Sequence, residues 1–127
     1  DFHVAWNEEG KERKLTFRLG DLANQIALIS PGQKITYIVD VLFSPENIEK
    51  IIDFAQHADH LFIEAAFLDS ELEIARTKYH LTAKQAGILA GKANVKQFTI
   101  FHFSPRYSHA AYLLQEEADR AFAGANL

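Results

Sequence analysis

The sequence predicts an α/β fold: a mixed sheet flanked by helices, with an N-terminal β-hairpin followed by three strand–helix units. Three observations predict it. Phe2, Val4 and Trp6, then Leu15, Phe17 and Leu19, alternate with polar residues on either side of the charged turn Glu8-Glu9-Gly10-Lys11-Glu12. That is the period of an antiparallel hairpin with one buried face. Three later apolar runs are each followed by apolar residues at helical spacing, the pattern of parallel strands joined by right-handed crossovers. Those runs also end alike, on Asp40, Glu64 and His102. A chain of 127 residues suffices for one core. No repeat, low-complexity tract or linker divides it, so residues 1–127 are expected to form a single domain.

Each element has its own grounds. His3 falls on the polar face of the hairpin. Asp21 to Ile29 is a weak stretch, a helical turn at most, closed by Ser30-Pro31-Gly32. Ile35 to Val39 reads as a buried strand delivering Asp40. Ser44 and Pro45 open a helix as N-cap and first helical residue, and Ile48, Ile51, Ile52, Ala55 and Ala58 form its buried stripe. Leu61 to Phe67 is the next strand. Glu64 is its odd member, because a buried carboxylate costs on the order of several kcal/mol unless paired or coordinated. A helix is predicted over about 70–79, with Ser70 and Glu73 at capping-box spacing. Thr82 and Gln85 repeat that spacing, which fixes a further helix start and holds His80 in the loop just ahead of it. Ala83, Ala86, Gly87, Ala90 and Ala93 let this helix approach a sheet closely. After the strand to His102, a last amphipathic helix uses Ala111, Leu114, Ala118, Ala121 and Phe122.

Composition narrows the function. With 48% hydrophobic and 24% charged residues the chain is of ordinary globular type. No apolar run is long enough to span a bilayer and no signal peptide is visible, so the expectation is a cytoplasmic protein with no membrane partner. There is no cysteine, hence no disulfide, thiolate nucleophile or cysteine-based zinc site. Any metal must be held by His, Asp and Glu, a donor set that suits zinc, manganese or iron. A net charge of −4 argues against a broad nucleic-acid-binding surface, though not against a local basic patch. The lack of any methionine, and an opening directly in a strand, lead to the expectation of a missing N-terminal part.

In open α/β sheets the carboxyl ends of neighbouring strands share a crevice where ligands bind. There Asp40 and His102 could ligate a divalent metal, Glu64 could orient His80 by a hydrogen bond, and His80 could protonate a leaving group. The plain alternative is that Asp40 caps a loop, Glu64 pairs with an Arg or Lys, and both histidines are merely polar. No GxGxxG, P-loop or GxSxG pattern occurs. His57-Ala58-Asp59-His60 looks like a metal motif, but it lies at the amino end of the Leu61 strand and reads as a surface turn.

Four blocks carry a resemblance: Pro31-Gly32-Gln33-Lys34-Ile35 through Asp40; Ala58-Asp59-His60-Leu61-Phe62-Ile63-Glu64-Ala65; His80-Leu81-Thr82-Ala83-Lys84-Gln85-Ala86-Gly87; and His102-Phe103-Ser104-Pro105-Arg106-Tyr107. In order and spacing they resemble the C-terminal half of ribonuclease Z, a metallo-β-lactamase-fold hydrolase that trims the 3′ ends of tRNA precursors. The resemblance implies half of an αββα sandwich and two zinc ions in the intact enzyme. It makes Asp40 the bridging aspartate, His102 the final histidine ligand, His80 the acid and Glu64 its partner. It sets Arg106 and Tyr107 near the substrate phosphate. It also implies an RNA (tRNA precursor) or other phosphodiester substrate. The family's His-x-His-x-Asp-His motif is not in the chain, and Ile63, Ala66 and Leu81 stand where the family commonly has His, Thr and Ser. The expectation is therefore the C-terminal part of a zinc-dependent endoribonuclease, inactive without its N-terminal half and forming a homodimer. The alternatives are a non-catalytic dimerising or binding module of the same fold, or another metallo-β-lactamase-fold hydrolase.

Overall fold

The computed structural model describes residues 1–125, which divide into two compact units, residues 1–32 and 33 onward. In the first, strands β1 (Phe2–Glu8) and β2 (Lys11–Phe17) pair antiparallel, with Phe2 opposite Phe17 and Glu8 opposite Lys11. Glu9 and Gly10 form the two-residue turn, both at positive φ (52° and 78°), as the right-handed twist of a tight hairpin requires. Helix α1 (Leu19–Ile26) follows, longer than the single turn expected. The hairpin is where the sequence indicated, but the apolar face is not buried. Phe2, Val4, Trp6 and Leu15 stay 39–50% exposed, and a two-stranded hairpin does not form a closed core by itself.

In the second unit, β3 (Ile35–Ile38), β4 (His60–Glu64) and β5 (Phe98–Phe101) form a parallel sheet in the order β3-β4-β5. The antiparallel pair and the parallel triple are separate sheets. Helices α2 (Pro45–Ala55), α3 (Leu72–Thr77), α4 (Ala83–Lys92) and α5 (Ala111–Ala125) connect and follow the strands. Side chains alternate across the sheet as the pleat dictates. Thr36, Leu61, Ile63 and Ile100 are buried with the helices in one core, while Ile35 and Tyr37 remain exposed. None of the described helices is long and apolar enough to cross a membrane.

Local chemistry sets the helix starts. Ser44 Oγ accepts from the Asn47 N–H with Pro45 at the first helical position, and Thr82 and Gln85 form a reciprocal capping box. The predicted helix over 70–79 is instead a 3-10 turn (Asp69–Glu71) followed by α3, and Ser70 caps neither. Glycine decides how α4 meets α5. A Cβ at Gly87 would lie 2.2 Å from the Ala118 carbonyl oxygen, whereas one at Gly124 would meet nothing within 4 Å. Gly87→Ala should therefore lower stability by about 1–3 kcal/mol through overpacking. Gly124→Ala should leave it unchanged or raise it by less than about 1 kcal/mol through helix propensity. Urea midpoints of the two variants test the contact, and an unaffected Gly87→Ala variant would refute it.

Candidate active site

The carboxyl ends of the three parallel strands carry Asp40, Glu64 and His102, and the α3–α4 connection adds His80. All four sequence-predicted groups meet: each offers a donor atom, and these atoms lie within 4.8 Å of one another. Glu64 is at the centre and has no exposed surface. Its Oε1 accepts from the backbone N–H of Val41 (3.1 Å) and Leu81 (3.0 Å). Its Oε2 contacts Nδ1 of His80 (2.9 Å) and Nδ1 of His102 (3.0 Å). A carboxylate has only acceptors, so these contacts assign the proton to Nδ1 in both rings. The Nε2 atoms are then left without a protein partner among the described residues. Among the described residues Glu64 thus meets no Arg or Lys; it is a hub for both histidines, a link to His102 that the spacing did not indicate.

Backbone geometry explains how these groups reach the rim. Asp40 and His102 both take left-handed conformations (φ 53° and 62°), which turn the chain sharply off the strand ends. Tyr79 does so as well (φ 60°). The His80 N–H bonds to the Ala75 carbonyl (2.9 Å) and the Tyr79 N–H to the Arg76 carbonyl (3.2 Å). This is a Schellman ending of α3 with a tyrosine where glycine is usual, and it delivers His80 to Glu64. Left-handed backbone in bulky residues clusters where the surroundings over-determine it, commonly at functional sites.

The donor chemistry suits a divalent metal. Asp40 is mostly exposed, and its Oδ1 lies 3.6 and 3.7 Å from Nδ1 of His80 and His102, beyond hydrogen-bonding distance. With Nδ1 of His102 on a carboxylate, its Nε2 is oriented as a ligand in the way metal-site histidines usually are. Asp40 and His102 together are fewer than the three protein ligands of a catalytic zinc site.

Arg106 and Tyr107 are outside the four-residue cluster, on a 3-10 turn (Pro105–Tyr107). Both side chains donate to Glu71, a residue the sequence reading did not single out. The Tyr107 hydroxyl also accepts from the Leu68 N–H (3.1 Å), and the Arg106 guanidinium stacks over Phe67. Tyr107 is buried; Arg106 keeps an exposed edge. His57, Asp59 and His60 sit at the amino end of β4. Asp59 pairs there with Lys96 (2.6 Å), consistent with a structural turn.

No family model matches the chain. A ribonuclease Z of Bacteroides fragilis is 43% identical over 86 residues, covering 68% of this chain. Those of Protochlamydia amoebophila and Thermobifida fusca are 36% and 37% identical over 100 and 99 residues, 79% and 78% of this chain. The chain is a relative of ribonuclease Z. It spans less than a third of the length of these curated relatives, 27%, 31% and 28% respectively. The metallo-β-lactamase fold protein YhfI from Bacillus subtilis superposes with a TM-score of 0.60 at 22% identity, over 70% of this chain and 34% of that one. That likeness establishes the fold, and the identities establish the kinship with ribonuclease Z.

Two predictions follow from this chemistry. Glu64→Gln keeps one acceptor oxygen but turns an amide NH2 toward donors, so at least two N–H groups lose their partner. The cost should be about 2–4 kcal/mol, and the slowly exchanging imidazole Nδ1–H signals should weaken or vanish in NMR spectra. Unchanged stability with both signals kept would disprove the hub. Burial first, then the bond to Glu71, raises the pKa of Tyr107 above its ordinary 10.0. The neutral phenol is the form the fold prefers, so its contribution is complete below pH 10 and lost as pH rises through the raised value. Tyr107→Phe should be less stable at neutral pH yet show a shallower alkaline decline, which urea midpoints measured across that range would reveal.

Proposed function

We propose that the chain is the part of a ribonuclease Z-like, metal-dependent phosphodiesterase that carries its general acid, acting on RNA such as a tRNA precursor in the cytoplasm. The single observation that carries this reading is the Glu64 carboxylate bound to Nδ1 of both His80 and His102. Such a carboxylate holds an imidazole in one tautomer and stabilises its protonated form. His80 then donates its Nε2 proton to the departing oxygen of the scissile phosphodiester, which avoids expulsion of a bare alkoxide. Asp40 and His102 Nε2 would hold zinc, with manganese or iron as other candidates, together with ligands from a further N-terminal segment. That metal would supply Lewis acidity toward the phosphoryl oxygens. Arg106, through its exposed edge, is proposed to lie near the substrate phosphate, with Tyr107 fixing the turn beneath it.

A second reading, a dimerising module of the same fold, is favoured by the exposed Ile35 and Tyr37. A monomer in gel filtration would count against it. The main reading is tested by His80→Ala in the intact, metal-loaded protein. Turnover of an RNA phosphodiester, a poor leaving group, should fall about 10²–10⁴-fold, with little change on bis(p-nitrophenyl) phosphate, whose leaving group needs no proton. Equal losses on both substrates, or none, would sink the acid role.

A further inference from the structure

His80 is the one residue shared by two cavities. The smaller, of about 170 Å³, also takes in His102 and Lys78 on the rim side. The larger, of about 420 Å³, is lined by Leu42, Phe43, Leu72, Arg76 and Gln85 among others, and none of the roles assigned above uses it. Its size falls within the range of small-molecule sites. Gln85 is only 8% exposed. Its Oε1 is committed to the Thr82 N–H of the capping box, while its Nε2 has no partner among the described residues. Among the described residues no enclosed side-chain polar atom lacks a hydrogen bond, so that unpaired Nε2 opens onto accessible space, and Gln85 lines the cleft. Arg76, at the same wall, forms no ion pair among the described residues. Apolar side chains, one accessible donor without an acceptor and the Arg76 cation, with the Glu73 carboxylate also on the lining, point to what would fit: a flat group with a hydrogen-bond acceptor on its edge, joined to an anion that Arg76 meets.

We propose that this cleft holds the nucleoside whose oxygen His80 protonates. Its base lies against Leu42, Phe43 and Leu72, an acceptor on the base edge meets Gln85 Nε2, and the phosphate on that nucleoside's other side meets Arg76. The proposal rests on the acid role of His80, since a proton donor must adjoin the leaving group, and it makes Gln85 and Arg76 substrate-positioning residues.

The test uses nucleoside 5′- and 3′-monophosphates and the corresponding free nucleosides, titrated into the 127-residue chain and followed by NMR. A monophosphate should shift the Gln85 side-chain NH2, the Arg76 Nε–H and the Leu72 methyls, and bind more tightly than the nucleoside. Gln85→Glu keeps the capping acceptor but replaces the donor, and should weaken both ligands tenfold or more. Arg76→Gln should abolish only the advantage of the phosphate. No binding, shifts confined to the Lys78 and His102 side, or a Gln85→Glu variant that binds as the parent does would each overturn the proposal. Cleavage by the intact protein with no nucleotide in the cleft would defeat this inference alone. Binding without cleavage would defeat only the catalytic reading.

Discussion

The geometry of the rim depends on one buried carboxylate. Glu64 receives four contacts, from the backbone at Val41 and Leu81 and from the rings of His80 and His102. They come from the segment after β3, the α3–α4 connection and the end of β5. A carboxylate removed from water with no partner would cost several kcal/mol on the scale of about 3–5 for a broken buried pair. Four donors on two oxygens replace its hydration. In return, three separate pieces of backbone are held to a single point. Only the central strand of β3-β4-β5 can do this, because its end has a neighbour on either side.

Around that point the chain accepts unfavourable backbone. Asp40, Tyr79 and His102 are all left-handed, a conformation that costs an L-residue about 1–2 kcal/mol. Each lies at or next to a residue in contact with the Glu64 side chain or its backbone donors. Asp tolerates the conformation well and His better than most, but Tyr does not. Tyr79 is tolerated because the two Schellman hydrogen bonds at the end of α3 require a left-handed residue there, whatever its side chain. The site is thus set by backbone turns that the Glu64 contacts lock in place, which keeps His80 and His102 from depending on flexible side-chain placement alone.

Much of this was legible in the sequence, for identifiable reasons. Apolar runs that end on a polar residue mark strand ends, and the Ser44-Pro45 and Thr82–Gln85 caps mark helix starts; both signals are local and both held, although the strand expected over Leu61 to Phe67 stops at Glu64. What failed was non-local. The alternation of Phe2, Val4 and Trp6 specifies a hairpin face but not what covers it. Ser70 and Glu73 have capping-box spacing, yet the segment tightens into a 3-10 turn whose Glu71 is bound to Arg106 and Tyr107, more than thirty residues away. The bond from Glu64 to His102 follows from strand order, which spacing does not encode. Gln85 was visible as a capping residue, but only the fold shows that its second amide atom is left over for the cleft.

The chemistry within this chain is uneven, and that bears on how its parts work together. For the acid role proposed for His80, the imidazole and the carboxylate that fixes its tautomer both lie in residues 33 onward. For the proposed metal the set is smaller, since Asp40 and His102 would offer two donors where catalytic zinc takes three from the protein. The two proposed tasks share Glu64, because the same Oε2 contacts the proposed proton donor at 2.9 Å and the candidate ligand at 3.0 Å. A charge placed on Nε2 of His102 would draw its Nδ1–H more strongly onto Oε2, and so compete with His80 for the same oxygen. On the proposed roles, acid and ligand are coupled through one atom, Glu64 Oε2, so that a change at His102 is felt at His80.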